Sequence, residues 1–251
     1  MVCGELPITK QPKLLVSNLA VNQLLEKFWK IEEIGDPAPS EPPENEFVEN
    51  HFKSTTTRQA DGRFVVRLPF SEPTEKLSNN SRNNALRILK ITYNRLKGNE
   101  WLEYKNFMKE YLDLGHMSFV PSNKIHSEPY CYMPHHAVFR NSQTSKIRVV
   151  FNASKKTESG KSLNDILHAG PTIQDELIQI LLRFRFHRIP LCSDVAKMYR
   201  QVLVAPQDRA FQRIVWFDEN NHIVDYELNT VTYGTKPGSF LATRAIKELA
   251  L

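Results

Sequence analysis

One carboxylate between two apolar runs constrains this chain more than any other feature. An apolar run ends beside Asp194, Tyr199 follows five residues later, and a second apolar run begins at Val202. The pattern predicts a strand that ends at Asp194, a tight turn and a second strand. A strand-end Asp commonly bonds its own turn, and taken alone that interpretation is favoured. The other interpretation is an enzyme that holds a metal ion beside a nucleotide and tests its sugar with an aromatic ring.

The length and composition predict a folded protein with one basic stretch. The 251 residues could form one large domain or two small ones, and 41% of them are hydrophobic, which argues against wholesale disorder. The net charge is +5, and residues 183–213 hold seven basic side chains against two acidic ones. A locally basic surface suits a phosphate-rich partner. Charge alone, however, favours an ordinary solvated face.

The cysteine pattern and the hydropathy predict an intracellular protein that does not enter a membrane. Cys3, Cys131 and Cys192 are odd in number and far apart, so no disulfide framework is expected. No apolar stretch approaches the roughly 20 residues that span a bilayer, and residues 1–12 lack an apolar signal core. The adjacent histidines at 135 and 136 would point to opposite faces of a strand, so they do not predict a metal site.

The N-terminal part is predicted to be a helix followed by a linker. Apolar residues recur on one helical face over residues 21–34. The Pro-rich, acidic residues 35–44 should hold neither helix nor strand, and we predict a linker over residues 36–60. Residues 62–70 then alternate as a strand.

The middle of the chain predicts two helices with apolar stripes and a hairpin. Apolar side chains recur at helical spacing in two sets, Leu86, Leu89, Tyr93 and Leu96, then Trp101, Tyr104, Met108 and Tyr111. The aromatic stripe is predicted to be core rather than a platform for stacked bases. Residues 137–139 and 147–151 predict a hairpin.

The last third predicts a second hairpin between two helices. Thr172 as an N-cap and Asp175 as a capping-box acid predict a helix from residue 172 to about residue 186. Residues 211–217 and 222–228 predict the hairpin. A final helix should begin near Pro237, because proline is tolerated in a first turn.

Several short motifs follow one another along this part of the chain. They are RVVFNAS at residues 148–154, SLND at 162–165, GPT at 170–172, DVAKMY at 194–199 and YELNTVTYGT at 226–235. In this order they resemble the reverse transcriptase of the BEL/Pao long-terminal-repeat retroelements. Residues 28–33, 61–70 and 133–139 are also similar to the polyprotein of that family, and residues 1–19 resemble the end of its protease region. The similarity covers nearly the whole chain, although no single motif is specific alone.

The resemblance implies an α+β fold, the fingers and an incomplete palm of a right-hand polymerase, with an N-terminal helical appendage and linker. Residues 1–35 would be the tail of the protease region with a connector helix, residues 36–60 the linker, and residues 61–251 the reverse transcriptase-like region. The fingers would comprise residues 61–165 and 206–233, and the palm residues 166–205 and 234–251. The helix over residues 172–186 is expected to pack on the sheet whose central strand carries Asp194.

The resemblance also implies a metal site. Asp194 would be the catalytic residue and a ligand of Mg²⁺, and the carbonyl of Val195 would add a backbone oxygen. Polymerases of this kind use two Mg²⁺ ions to stabilise the attacking and leaving oxygens. The aromatic-x-Asp-Asp hairpin of the family does not occur in the sequence up to Leu251, so the chain alone is expected to be inactive.

A nucleotide site is implied beside the metal. Arg148 would clamp the triphosphate, because a guanidinium fork suits phosphate oxygens, with Arg140 or Lys146 as a weaker second candidate. The ring of Tyr199 would exclude a ribose 2′-hydroxyl. The backbone N–H groups of Lys197 and Met198 would meet the triphosphate, and Tyr233 and Gly234 would line the pocket. An exposed strand residue and an aromatic packed under a turn are the plainer interpretations of Arg148 and Tyr199.

The implied activity is RNA-directed DNA synthesis, with deoxynucleoside triphosphates as substrates and an RNA or DNA template with its primer as partner. Two alternatives belong to other classes. One is a non-catalytic nucleic-acid-binding or assembly module that kept the fold, and the other is a structural remnant without function. The oligomeric state stays open.

Overall fold

The computed structural model describes residues 42–77, 80–125, 129–139 and 147–250, which form a mixed α+β structure with small sheets. They belong to the compact unit that begins at Pro42. The predictions for residues 1–35, Arg140 and Lys146 lie outside the described residues. The helices are α1 (Pro43–Thr55), α2 (Ser81–Arg95), α3 (Asn99–Asp113), α4 (Leu177–Phe186) and α5 (Gly238–Ala250). The strands are β1 (Thr57–Arg58), β2 (Phe64–Val66), β3 (Met117–Phe119), β4 (His135–Phe139), β5 (Ile147–Phe151), β6 (Leu203–Val204), β7 (Arg213–Phe217) and β8 (Ile223–Leu228).

The first helix occupies part of the predicted linker. The prediction for residues 36–60 is wrong where α1 and β1 form. Pro43 begins the helix rather than preventing it, because the missing N–H of a first-turn proline would have no helical partner anyway. Val48 and Phe52 are buried, and the Phe52 ring meets Phe240 of α5 edge-on with centroids 6.0 Å apart. The helix α1 is therefore part of the core.

The two helices predicted from their apolar stripes are confirmed. α2 buries Leu89, and α3 buries Tyr104, Met108 and Tyr111. The ring centroids of Tyr104 and Trp216 lie 4.7 Å apart, which joins α3 to β7. The aromatic stripe of α3 is thus core, as predicted, and the hydrophobic effect fixes this helix against the sheets.

Both predicted hairpins are present. β4 pairs antiparallel with β5, with Val138 opposite Arg148. β7 pairs antiparallel with β8, and β8 also pairs with β3. β2 pairs antiparallel with β1 and parallel with β6, so that Val66 lies opposite Val204. Because β6 follows directly after the turn at Tyr199, its pairing with β2 fixes the end of that turn.

A buried histidine links the hairpin that carries Arg148 to the rest of the core. His135 on β4 is 2% exposed, with one ring nitrogen against the Tyr104 hydroxyl and Nε2 3.1 Å from the Val215 carbonyl oxygen. Burial lowers the pKa of His135 to about 4. The ring is therefore neutral near pH 7 and connects β4 with α3 and β7.

The segment before Asp194 differs from the prediction. α4 begins at Leu177 rather than at residue 172, and Glu176 precedes it without a side-chain cap, so the predicted capping box of Thr172 and Asp175 is absent. Residues 191–195 form no strand. No residue of α4 is buried, so the expected packing of this helix on a central strand is wrong.

The physical reason is the lack of a neighbour for this segment. Its large apolar side chains are exposed, namely Leu177, Ile178, Leu181, Leu182, Phe184, Phe186, Ile189 and Leu191. A strand needs a paired edge and an amphipathic helix needs a face to cover, and no described element supplies either. None of the helices in the described ranges is long and apolar enough to cross a bilayer.

An ion pair with a buried carboxylate joins the residues directly after β2 to the 3₁₀ segment Pro206–Gln212. The carboxylate of Asp208 is 2% exposed. Arg67 donates to it from Nε at 2.6 Å and from Nη2 at 2.9 Å, and the Leu68 backbone N–H donates at 2.9 Å. Bidentate guanidinium pairing with a further backbone donor compensates the loss of water around a buried carboxylate.

Replacing Asp208 with alanine should lower the free energy of unfolding by about 3–5 kcal/mol, because Arg67 and the Leu68 N–H lose a buried partner. Asp113→Ala removes the same group from an exposed position on α3 and should change that free energy by less than about 0.5 kcal/mol. Urea unfolding followed by circular dichroism measures both values. Equal losses in the two variants would contradict the role assigned to Asp208.

Candidate functional site

The turn that follows Asp194 has a backbone geometry suited to anions. Lys197 adopts a left-handed conformation with φ 54°, and Met198–Gln201 form a 3₁₀ turn after it. The Arg200 N–H donates to the Lys197 carbonyl oxygen at 2.7 Å. Successive N–H groups with left- and right-handed conformations form concavities that bind anions. Non-glycine residues held in this conformation also concentrate at functional sites.

Three residues of the predicted nucleotide site come together beside this turn. The ring centroids of Tyr199 and Tyr233 lie 6.3 Å apart with an interplanar angle of 87°. The guanidinium carbon of Arg148 lies 5.6 Å from the centre of the Tyr233 ring, within the range of a cation–π attraction. Arg148 is exposed, whereas both tyrosines are half-buried. Burial raises the pKa of Tyr233, so its hydroxyl stays protonated.

Gly234 allows the backbone after Tyr233 to approach β5 closely. Its φ is 104°, and a side-chain carbon at this position would lie 2.3 Å from the carbonyl oxygen of Phe151. The side-chain amide of Asn164 donates to the Gly234 carbonyl at 2.9 Å, and the Lys236 N–H donates to the Asn164 side-chain oxygen at 2.7 Å. Asn164 therefore clamps this turn, which gives the SLND motif a structural role.

The helix α3 adds two residues that the sequence did not mark as functional. Oε1 of Glu110 lies 2.5 Å from Nζ of Lys197 and 3.2 Å from Nη1 of Arg200. The Arg200 guanidinium carbon lies 4.4 Å from the centre of the Tyr111 ring. The hydrogen bond from Lys197 lowers the pKa of Glu110, which is therefore ionised near neutral pH. Tyr111 belongs to the stripe predicted as core, but no sequence signal singles out Glu110.

A neutral histidine lies behind these cations. His116 is 7% exposed, and neither of its ring nitrogens has a hydrogen-bond partner among the described residues. Its ring meets that of Tyr111 edge-on with centroids 5.6 Å apart. Burial first, and then the charges of the nearby cations Arg200, Arg63 and Lys197, lower the pKa of His116 to about 4.

The described residues do not by themselves fit the predicted metal site. Asp194 and Val195 are exposed, and the described ranges contain no group of three or more His, Cys, Asp and Glu side chains that could hold a metal ion. Mg²⁺ requires near-octahedral oxygen coordination. One carboxylate and one carbonyl are therefore an incomplete set of protein ligands for two ions.

The basic stretch over residues 183–213 is less exposed than its sequence suggests. Arg213 is 1% exposed and donates to the Ile125 carbonyl oxygen, and Arg209 donates to the Val204 carbonyl oxygen. Arg183 pairs with Asp175. Arg185 and Arg188 are exposed, whereas Lys197 and Arg200 pair with Glu110, so the predicted basic surface is shorter than the sequence run.

No protein-family model matches the chain, and no curated protein matches it either. The function of the site is therefore inferred from the chemistry of its residues. An exposed guanidinium, two aromatic rings and a turn of backbone N–H groups can bind a ligand that combines a ring or sugar with phosphate groups.

Alanine at Gly234 should lower the free energy of unfolding more than alanine at Gly160. Both residues have positive φ, 104° and 77°, but only at Gly234 would the added carbon meet a backbone atom. We expect a loss of about 1–2 kcal/mol for Gly160→Ala from its left-handed backbone. Gly234→Ala should lose about 1–3 kcal/mol more from the clash. Thermal and urea unfolding measure the difference, and equal losses would contradict the close approach to Phe151.

Proposed function

We propose that this chain binds deoxynucleoside triphosphates as part of an RNA-directed DNA polymerase, a reverse transcriptase similar to that of the BEL/Pao retroelements. The observation that carries the proposal is the meeting of Arg148, Tyr233 and Tyr199 beside the turn at Lys197. Three motifs that are far apart in the sequence, at residues 148–154, 194–199 and 226–235, contribute to one place. A shared ligand is a direct reason for such convergence.

Each residue has a role in this proposal. The guanidinium of Arg148 pairs with phosphate oxygens, since its planar donors match them in geometry and charge. The backbone N–H groups of Lys197 and Met198 bind the same triphosphate from the turn. The Tyr199 ring faces the sugar and excludes a 2′-hydroxyl, and Tyr233 with Gly234 lines the pocket.

The catalytic part of the proposal concerns Asp194. In such a polymerase Asp194 and the Val195 carbonyl are ligands of Mg²⁺, and the reaction extends a primer paired with an RNA or DNA template. Two-metal transfer requires further carboxylates. Nucleotide binding is accordingly the step that we assign to the described residues themselves.

Replacing Arg148 with alanine should weaken the binding of a deoxynucleoside triphosphate about tenfold or more, because charged hydrogen bonds contribute about 1.5–3 kcal/mol. Arg87→Ala removes an exposed guanidinium from α2 and should leave the affinity unchanged. Isothermal titration calorimetry measures both. Equal affinities of the wild type and Arg148→Ala would argue against this nucleotide site.

The sugar preference provides a second readout in the same assay. Tyr199→Ala should reduce the preference for the deoxynucleotide over the ribonucleotide, whereas Tyr199→Phe keeps the ring and should keep the preference. A preference that is absent in the wild type would contradict the role of Tyr199.

A second candidate is nucleic-acid binding without catalysis. It is favoured by the lack of a complete metal-binding group in the described ranges and by the exposed cations Arg185 and Arg188. Both cations lie next to the exposed apolar side chains of Phe184, Phe186 and Ile189. Exposed guanidinium groups bind phosphates without reading bases.

A primer–template duplex should bind this chain at low salt and dissociate near physiological ionic strength. Each neutralised phosphate contributes about −0.9 to the slope of log affinity against log salt. Arg185→Gln and Arg188→Gln should each reduce the slope by about one, whereas Arg87→Gln should not change it. Fluorescence anisotropy at several salt concentrations measures these slopes. Binding that does not depend on salt would contradict this candidate.

A further inference from the structure

Glu110 bridges two cations of the anion-binding turn with a single oxygen. Its Oε1 accepts from Lys197 Nζ at 2.5 Å and from Arg200 Nη1 at 3.2 Å. Lys197 is also the residue whose left-handed backbone opens the turn. A carboxylate oxygen between an ammonium and a guanidinium occupies the kind of position that a phosphate oxygen would occupy. Glu110 therefore neutralises part of a charge that would otherwise face an anionic ligand.

The two cations differ in how firmly they are held. Arg200 is 12% exposed, and its guanidinium carbon lies 4.4 Å from the Tyr111 ring centre and 5.2 Å from that of Phe107. Nη2 of Arg63 donates to the Arg200 carbonyl oxygen at 2.8 Å. Lys197 is 39% exposed, and among the described residues its side chain forms one ion pair, the bridge to Glu110. Arg200 is thus a fixed cation, whereas Lys197 can exchange partners.

Because the ion pair between Glu110 and Lys197 is exposed to solvent, another anion can replace the Glu110 carboxylate. Glu110 is 45% exposed, and ion pairs with this access to water are weak and are screened by salt. A polyphosphate carries several negative charges and can also accept from the turn N–H groups, so it competes well for both cations. A monophosphate carries less charge and therefore competes less well with the Glu110 carboxylate for the two cations.

We propose that Glu110 is the exchangeable counter-ion of a polyphosphate site formed by Lys197, Arg200 and the turn N–H groups, and that an incoming triphosphate displaces it. The proposal rests on the proposed nucleotide-binding function and adds a positioning residue to it. Glu110 holds Lys197 in place before the ligand arrives, and its negative charge opposes a bound polyphosphate more strongly than a single phosphate.

The test uses inorganic tripolyphosphate and inorganic phosphate as probes, with the 251-residue chain and calorimetry. Glu110→Gln keeps the shape of the side chain and removes its charge, so it should bind tripolyphosphate about threefold to tenfold more tightly than the wild type, with a gain that falls as salt rises. The matched control Glu103→Gln removes the same charge two turns earlier on α3 and should leave the affinity unchanged. Adding Lys197→Met to Glu110→Gln should abolish the gain.

A second comparison tests the selectivity. The ratio of the affinities for tripolyphosphate and phosphate should be larger in Glu110→Gln than in the wild type, because removing one negative charge relieves more repulsion on the more highly charged anion. An unchanged tripolyphosphate affinity in a folded Glu110→Gln variant, or an equal gain in Glu103→Gln, would overturn the proposal. Unfolding curves of each variant establish that it is folded.

The outcome is separable from that of the nucleotide function. If a deoxynucleoside triphosphate binds in a Tyr199-dependent manner while Glu110→Gln changes nothing, the counter-ion role is wrong and the nucleotide site stands. If Glu110→Gln tightens tripolyphosphate binding but neither Tyr199 nor Arg148 affects nucleotide affinity, the polyphosphate site stands and the nucleotide function is wrong.

Discussion

Tyr104 and Tyr111 lie seven residues apart on one face of α3, and their burial holds three parts of the chain together. Tyr104 contacts Trp216 on β7 and the neutral His135 on β4. Tyr111 contacts Phe151 on β5. Because two turns of a helix bring residues seven apart onto the same side, one face of α3 contacts both the β4–β5 hairpin and the β7–β8 hairpin. This aromatic face holds both hairpins against α3, in addition to the direct contact between His135 of β4 and the Val215 carbonyl of β7.

The same helix gives the candidate site its shape. The guanidinium of Arg200 lies over the Tyr111 ring, and the next residue toward the N-terminus, Glu110, forms an ion pair with Lys197. Tyr111, which packs in the core, and Glu110, which binds Lys197, are therefore neighbours on one turn of α3. The turn after Asp194 is thus positioned from α3, although the sequence motif that identifies it contains no residue of that helix.

The sequence predicted the elements whose signals are local. α2, α3 and the two hairpins follow from periodicity and from polar turns between apolar runs. The linker prediction was wrong over α1 and β1, because Pro43 starts a helix as readily as it breaks one. Glu110 was missed because its contact with Arg200 spans 90 residues, and no spacing rule reaches so far. The convergence of Arg148, Tyr199 and Tyr233 was anticipated only through resemblance, since each residue taken alone has an ordinary structural interpretation.

The exposed helix α4 has a consequence for how the chain unfolds. A ten-residue helix without buried side chains gains little from packing, and isolated helices shorter than about 12–15 residues are marginal in water. Its amide protons should therefore exchange with solvent through local opening. The free energy of this opening should be a small fraction of that measured for the amides of α3. Asp194 lies beyond that helix and outside any strand. The backbone before Asp194 should therefore open together with α4, whereas the turn after it is held by the contacts of Lys197 and Arg200 with α3.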